Sequence, residues 1–175
     1  MRSLTLALIA GLLLIPAGCK RRKAPTPQAA EDASAELAAT VHTNDPKAAE
    51  QLIGGFHQIE NKAWRWTARE FSVVLRPPAG TPQLGGVLQV HLSVPPILIE
   101  KLTKVSLTPS IAGTALTTET YSKPGDYLYQ ADVPASLLKG GAVKVEFALD
   151  KAIPPNATDQ RELGLIVSSV GLKLK

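Results

Sequence analysis

The sequence predicts an all-β domain, built as an antiparallel sandwich or barrel. From residue 56 onward, apolar residues occur in short runs or alternate with polar residues, which is typical of strands with one buried face. Clusters of Pro, Gly, Asn and Asp separate these runs at fairly regular intervals, as they do in sandwiches and barrels. A domain of about 120 residues buries roughly two thirds of its unfolded surface, which is enough for one core without disulfides.

The N-terminal segment, residues 1–18, is predicted to be a signal peptide. Its apolar run, residues 4–15, is shorter than the ~20 residues of helix that span a bilayer. The sequence Ala17-Gly18-Cys19 that follows resembles the lipobox of bacterial lipoproteins, with Pro16 where that family usually has Leu. The resemblance implies thioether lipidation of Cys19, cleavage before it and acylation of the new amine. The alternative is a simple secretory signal that is cut nearby.

A basic cluster follows the cysteine. Each positive charge beside anionic headgroups contributes about 1 kcal/mol, so we expect this cluster to contact the membrane surface. In many such lipoproteins an aspartate directly after the cysteine retains the protein at the inner membrane, and its absence here favours the outer membrane. The cluster consists of Lys20, Arg21, Arg22 and Lys23.

The charge balance argues against nucleic acid as a partner. The chain of 175 residues has a net charge of +4, but the N-terminal region holds five of its 19 basic residues. From residue 31 onward, 14 basic residues face 15 acidic ones, so no broad positive surface for phosphate backbones is expected. The single cysteine excludes an intramolecular disulfide and a cysteine-based metal site.

Residues 19–44 are predicted to form a flexible segment after the lipidated cysteine. Residues 24–44 are rich in Ala, Pro, Thr and acidic residues and have few large apolar side chains, so they bury too little surface to offset the entropy of ordering. His42 lies in this segment and is expected to be solvated.

The folded domain is expected at residues 45–175, and to open with a short helix. Asp45 is a good N-cap, and Pro46 has a backbone angle suited to the first helical position. Gly54 and Gly55 are expected to end this helix.

Six strands are predicted in the domain. A second helical turn is expected after Pro134, at residues 135–138. The strands are expected at residues 71–75, 87–94, 105–107, 127–129, 143–149 and 165–172.

The order of several short motifs resembles a known family. After the predicted helix come Gly55-Phe56, Trp64-Arg65-Trp66-Thr67, Asp126-Tyr127-Leu128-Tyr129 and, near the end, Asp159-Gln160-Arg161-Glu162-Leu163-Gly164. This order is similar to the galactose-binding-like, jelly-roll β-sandwich modules of bacterial envelope lipoproteins and glycosyltransferase-associated proteins. The resemblance covers about residues 45–175 and implies a jelly-roll-like sandwich. Members of that fold bind sugars, bind other proteins or support neighbouring domains.

The two tryptophans are candidate ligand-binding residues. Trp64 and Trp66 share one face of a strand, with Arg65 on the other. The functional interpretation is an aromatic platform that stacks on a sugar ring while Arg65 binds hydroxyls. The favoured alternative is that both indoles pack in the core.

Three further residues are candidates for ligand binding. Tyr127 and Tyr129 share a face and would offer their hydroxyls to a ligand, although packing at the sheet rim with a solvated hydroxyl is favoured. Arg161 would clamp a polar ligand, although an ion pair that fastens the loop of residues 151–160 is favoured.

No motif for catalysis, for a cofactor or for a metal emerges from the sequence. We therefore expect a non-enzymatic, membrane-anchored envelope lipoprotein whose domain binds glycan. The alternative is a structural or assembly subunit that docks an envelope protein. A hydrolase is a third hypothesis, because two of the residues Glu60, Glu70, Glu119 and Glu146 could converge in space as a catalytic carboxylate pair, although the sequence favours no pair over another.

Overall fold

The structure is a computed structural model that describes residues 37–175. The predicted signal peptide, the lipidation site Cys19 and the basic cluster of Lys20, Arg21, Arg22 and Lys23 lie outside the described residues. None of the helices within residues 37–175 has the length and hydropathy that a membrane crossing requires.

The described part of the chain is mostly antiparallel β-structure. Two short α-helices, α1 (Thr81–Leu84) and α2 (Pro96–Leu102), and two 3₁₀ helices, Pro46–Glu50 and Ala135–Leu137, connect the strands. The strands are β1 (Thr40–His42), β2 (Leu52–Glu60), β3 (Trp64–Leu75), β4 (Gly86–Val94), β5 (Val105–Ile111), β6 (Thr114–Ala115), β7 (Glu119–Tyr121), β8 (Gly125–Val133), β9 (Val143–Leu149) and β10 (Ile166–Leu174).

The strands form an antiparallel β-sandwich, as the sequence predicts. Their order is β6-β5-β9-β3-β10-β4-β8, with β1 on β10, β2 on β3 and β7 on β5. The long strand β3 belongs to both layers, because residues 70–75 pair with β9 whereas Arg65 and Trp66 pair with β10. Strand β8, at one end of this order, contacts the segment between β6 and β7 at the other end. There the Tyr129 hydroxyl donates to the Thr117 carbonyl oxygen.

One apolar core lies between the two layers. In β9 and in most of β8, buried residues alternate with exposed ones, so each strand contributes one face to the core. The rings of Phe71 and Phe147 stack with centroids 4.6 Å apart, and Phe56 meets Phe71 edge-on at 5.3 Å. Such aromatic pairs contribute about 0.5–1.5 kcal/mol beyond the area that they bury.

All six predicted strands are present, but the start of the domain was placed too late. Residues 40–42, assigned to the flexible segment, form β1 and pair with β10, and Val41 is only 1% exposed. The buried amide of Gln51 accepts from Ala38 N at 2.9 Å and donates to Ala38 O at 3.1 Å. The Gln51 amide therefore bonds to both backbone groups of Ala38, as a neighbouring strand would. It attaches the segment before residue 45 to the domain.

The predicted entry helix is shorter than expected. Asp45 is its N-cap, as predicted, and accepts from Lys47 N at 2.9 Å, but the segment is a 3₁₀ helix that ends at Glu50. Gly54 and Gly55 belong to β2 instead. At Gly55 the backbone φ is +75°, and a Cβ would lie 2.0 Å from the Glu70 carbonyl oxygen. The glycine is required by close contact of β2 with β3, not by a helix end.

Two α-helices that the sequence analysis does not predict have a proline in their first turn. In α2, Pro96 occupies the first helical turn after Pro95, and in α1 Pro82 does so after Gly80. Proline is compatible with that position because its missing N–H would have no intrahelical partner there. The predicted turn after Pro134 is the 3₁₀ helix Ala135–Leu137.

Candidate functional site

The two tryptophans lie at the start of β3, and both are half-buried. Trp66 packs against the core, while the indole Nε1 of Trp64 is buried without a hydrogen-bond partner among residues 37–175. Thr67, on the other face of the strand, is fully buried. The indoles are therefore neither fully enclosed in the core nor an open platform.

Arg65 holds the backbone together at this corner. Its Nε donates to the Thr43 carbonyl oxygen at 2.8 Å, and its Nη1 donates to the His57 carbonyl oxygen at 2.9 Å. The guanidinium thus joins the end of β1 to β2. These bonds compete with the predicted role of Arg65 in binding sugar hydroxyls.

Arg161 forms an ion-pair network rather than an open clamp. Its Nε and Nη2 donate to the two carboxylate oxygens of Asp159 at 3.0 and 2.8 Å, and its Nη1 donates to Glu60 Oε1 at 2.6 Å. The hydrogen bonds from Arg161 lower the pKa of Asp159 to about 2, and those from Asp159 and Glu60 raise the pKa of Arg161. The favoured prediction, a local ion pair that fastens this loop, is confirmed.

Of the two tyrosines, Tyr129 is placed differently from the prediction. Tyr129 is fully buried and its hydroxyl donates to Thr117 O at 2.5 Å, so its predicted solvated hydroxyl is wrong. Burial raises the pKa of Tyr129 to about 12. Tyr127 is half-buried; its ring lies 4.8 Å from that of Tyr121, and its hydroxyl donates to Lys123 O at 2.9 Å. Tyr129 therefore belongs to the core and cannot stack on a ligand in this conformation.

The predicted site residues fall into two groups. Glu60 is the strand partner of Trp64 and the ion-pair partner of Arg161, so Arg161 joins Trp64, Arg65 and Trp66 at one corner. The tyrosines lie on β8, which β10 and β4 separate from β3. The structure thus does not form one site from the whole predicted set.

A different candidate site, which the sequence analysis missed, lies on the outward face of β1, β10, β4 and β8. Paired residues in an antiparallel sheet point to the same side, so the register identifies the rows of this face. We call these two rows the front face: one is His42, Ser169, His91 and Leu128, and the other is Thr40, Gly171, Gln89 and Gln130.

The front face continues toward the tryptophan corner. The next row is Trp66, Ile166, Ser93 and Asp126, with a bulge in β10 between the rows. Within this row the Ser93 hydroxyl donates to Asp126. Trp66 therefore lies at one end of the surface that includes the front face.

A pocket of about 210 Å³ lies in the middle of the front face. Its floor is β10, where Ser169 and Gly171 have small side chains or none. The walls come from β1 and β4, and Lys173 closes one end. The floor cannot be filled without disturbing β1, because a Cβ on Gly171 would lie 2.5 Å from Thr40 Oγ1.

The polar side chains of the front face are available to a ligand. Gln89 is half-exposed, and His91 and Gln130 are exposed. These three side chains make no hydrogen bond to any other residue in the described range 37–175. Each offers a planar group that donates and accepts hydrogen bonds.

The outward face of the other layer is also polar, and some of its side chains have hydrogen-bond partners. We call this surface, formed by Glu70, Ser72, Thr108, Ser110, Lys144 and Glu146, the back face. Thr108 bonds to the Thr118 hydroxyl at 2.8 Å, and Lys144 donates to Glu146 at 2.7 Å. The back face has its own shallow depression of about 340 Å³, lined by Glu70 and Glu146 with serines between them.

The carboxylates and histidines do not form a metal centre within the described residues. Residues 37–175 contain no group of three His, Cys, Asp or Glu side chains arranged to hold a metal ion. Of the glutamates that the sequence left open, Glu60 pairs with Arg161, whereas Glu70 and Glu146 line the same back-face depression, where Glu146 pairs with Lys144.

Comparisons with known proteins were made for sequence and for structure. No family model matches the sequence, and no curated protein matches it. Among solved structures, the chain is similar to the CBM36-1 domain of a multidomain xylanase from the hindgut metagenome of Trinervitermes trinervoides. The identity is 11% and the TM-score 0.42, over 78% of this chain and 96% of that one.

Two further solved structures are similar at the same coverage of this chain, 78%. One contains CBM51-2, in complex with GlcNAc, and INT domains from Clostridium perfringens ZmpB, with 10% identity and a TM-score of 0.39 over 28% of that chain. The other is a glycoside hydrolase family 43 arabinoxylan arabinofuranohydrolase from Bacillus subtilis, with 9% identity and a TM-score of 0.36 over 24% of that chain. The chain spans only a minor part of these two proteins.

Proposed function

We propose that this protein is a lipid-anchored, non-catalytic binding module whose front face binds glycan. One observation carries the proposal: a small-residue floor on β10 lies between exposed imidazole and amide side chains that have no partner within residues 37–175. A ligand rich in hydroxyls supplies both the donors and the acceptors that such groups need.

The shape of the site supports a polymeric ligand. At about 210 Å³ the pocket is smaller than the ~300–1,000 Å³ of sites that enclose small molecules. The surrounding sheet face is exposed along several rows, so a chain of sugars could lie across β4 and β10 with one unit in the pocket. Trp66, at the end of the surface, has a half-buried indole that offers part of its face to a sugar ring.

Glycan binding is tested by removing front-face groups. We expect Gln89→Ala with Gln130→Ala to reduce retention on an array of envelope glycans at least severalfold, while the melting temperature stays near wild type. The matched control is Ser72→Ala with Ser110→Ala on the back face, which we expect to leave retention unchanged. Equal loss in the two double variants, or no retention of the wild type, would contradict the proposal.

The anchor is a separate part of the proposal. We propose that acyl chains on Cys19 hold the protein in the cell envelope, at the outer membrane rather than the inner one. The support is the apolar run that ends in Ala17-Gly18-Cys19 and the absence of an acidic residue after it. Each buried CH₂ contributes about 0.8 kcal/mol, so two or three chains give stable attachment. Cys19→Ser should release the protein from membranes; retention after a high-salt wash would exclude this anchor.

A second candidate function is docking of an envelope protein. It is favoured by β8, the last strand in the sheet order, whose nine residues pair with β4 in unbroken register. A regular edge strand that exposes an apolar residue, here Leu128, is a template for pairing with another chain. Co-purification from solubilised envelopes distinguishes the two functions, because added glycan should displace a sugar-bound protein but not a strand-paired one.

A further inference from the structure

We infer that the front-face pocket binds the anionic group of an acidic glycan, a carboxylate in the first instance. The inference rests on the proposed function and specifies the chemistry of the ligand. It follows from the side chains around the pocket, from the charges near them and from the shape of the floor.

Every side chain that lines the pocket, apart from the glycine, can donate a hydrogen bond, and none of them is a carboxylate. A neutral sugar presents hydroxyls that both donate and accept, and a carboxylate in the site would accept from them. A lining in which every side chain can donate matches a ligand group that consists of acceptors. The lining is Thr40, His42, Gln89, His91, Ser169, Gly171 and Lys173.

The charge of the lining is positive or zero. Lys173 is a fixed cation, and His42 and His91 lie on either side of Ser169 in one row of the sheet. All three side chains can donate a hydrogen bond to a bound anion.

The carboxylates on the neighbouring elements are not part of the pocket lining. On β8, Asp132 is paired with Lys175 at 2.7 Å, and Asp126 accepts from Ser93 one row away. Beyond β1, the Asp45 carboxylate caps the 3₁₀ helix and accepts from Lys47 N. The remaining charged side chains on the helix side of His42 are those of Lys47 and Glu50.

The floor of the pocket allows an anionic group to approach the sheet. Gly171 has no side chain, and Ser169 contributes one hydroxyl, so a carboxylate of one sugar unit can lie between the two histidines. Strands β1 and β4, which carry His42 and His91, are both direct neighbours of β10. The backbones at the two histidines are therefore separated by two strand spacings of about 4.8 Å each. Histidine side chains are long enough to reach one bound carboxylate from both sides across this distance.

The test uses a matched pair of ligands. Binding of the full chain, purified in detergent, is measured at pH 7.5 for oligogalacturonate and for its neutral methyl ester. The carboxylates of the acid are ionised at this pH, so a difference in affinity between the two ligands reports on the charge of the ligand. The variants are Lys173→Gln and the double variant His42→Gln with His91→Gln. The control is Lys144→Gln on the back face.

The expected pattern is specific. Wild type should bind the acid more tightly than the ester. Lys173→Gln should weaken binding of the acid about two- to fivefold, the range for an exposed ion pair. The double histidine variant should weaken binding of the acid while it keeps its melting temperature. Lys144→Gln should bind as wild type does.

Three outcomes would overturn the inference, and they differ in what they leave standing. Equal binding of acid and ester would exclude an anionic ligand but keep glycan binding on the front face. Binding of neither would count against the proposed function as well. Binding of vesicles that contain phosphatidylglycerol, with no binding of the acid, would identify the pocket as a membrane contact instead.

Discussion

The front face and the back face of the sandwich leave different kinds of polar side chain without a partner. On the back face, Thr108 bonds to Thr118 and Lys144 bonds to Glu146, whereas Glu70, Ser72 and Ser110 make no side-chain hydrogen bond within residues 37–175. On the front face, the side chains without a partner in the described range include the amides of Gln89 and Gln130 and the imidazole of His91. Both faces are solvated surfaces of one sheet system, so exposure alone does not distinguish them.

The two faces therefore offer different groups to a ligand. The front face offers planar groups that donate and accept, and the back face offers two hydroxyls beside the Glu70 carboxylate. A polar group that already has a partner gains little when it exchanges that partner for a ligand, since its net hydrogen-bond energy is only about 0.5–1.5 kcal/mol. A group that is bonded only to water can exchange it for a ligand without breaking a bond inside the protein. The front face is also completed by β1, which enters the domain from the proposed anchor side of the chain.

The largest expected effect comes from removing β1. A chain that begins at Asn44 loses buried Val41 and leaves the Gln51 amide without its partner Ala38. Compared with a chain that begins at Leu37, we expect the free energy of unfolding to fall by about 3–5 kcal/mol. The front pocket loses two wall residues while the back face stays intact. Urea denaturation of both chains checks this; equal midpoints would show that β1 is dispensable.

Alanine substitution of one glycine on each side of the sandwich should give the next largest difference in stability. Gly171→Ala places a Cβ 2.5 Å from Thr40 Oγ1 and should cost about 1–3 kcal/mol, because β1 must shift. Gly54→Ala, beside the back face, meets nothing closer than Ser72 Oγ at 4.0 Å and should be neutral or stabilising by up to about 1 kcal/mol.

Thermal unfolding of the two glycine variants makes the comparison. Thr40→Gly should recover part of the loss in Gly171→Ala, because all three closest atoms belong to the Thr40 side chain. If Gly171→Ala is as stable as wild type, the tight contact between β1 and the pocket floor is not present in solution.

Removal of single polar side chains should have smaller effects on stability. On the back face it should leave glycan binding unchanged, and on the front face it should weaken glycan binding. Thr108→Val breaks the bond to Thr118 and should cost about 0.5–1 kcal/mol without changing glycan retention. Gln89→Ala should change stability by less than about 0.5 kcal/mol and reduce retention. Chemical denaturation and the glycan array measure the two effects; the reverse pattern would assign binding to the back face.

The smallest expected effect is the dependence of stability on pH that comes from Asp159. Because Arg161 lowers the pKa of Asp159 from 3.8 to about 2, the unfolded chain binds more protons than the folded one between these values. The stabilisation by this pair is therefore complete above about pH 4 and is lost as the pH falls toward 2. Asp159→Asn should flatten the dependence of the unfolding midpoint on pH in that range. An unchanged slope would exclude Asp159 as its source.

The fold was predictable where alternation is strong, and less so elsewhere. The strand at residues 143–149 was predicted with its observed bounds, because its apolar and polar residues alternate strictly. The strand β1 was missed because three residues in a polar context give no periodic signal, and β10 alone determines its conformation. The strand β2 was missed because register shifts and the pair Gly54-Gly55 interrupt its pattern.

The candidate site was harder to predict than the fold. The interpretation of Arg161 as a local ion pair was confirmed, since its partner Asp159 is two residues away. The front face was missed because it combines residues from β1, β4, β8 and β10, which only the register of the sheet brings together. One local signal was present: Gln89, His91 and Ser93 occupy alternate positions of a strand whose other positions are apolar.

Backbone amide NMR of the domain during a titration with oligogalacturonate tests the central claim most directly. We predict saturable shifts at Gln89, His91 and Ser169, and no shifts at Ser72 or Glu146 on the back face. Saturable shifts centred on Ser72 and Glu146, or shifts on neither face, would contradict the assignment of glycan binding to the front face.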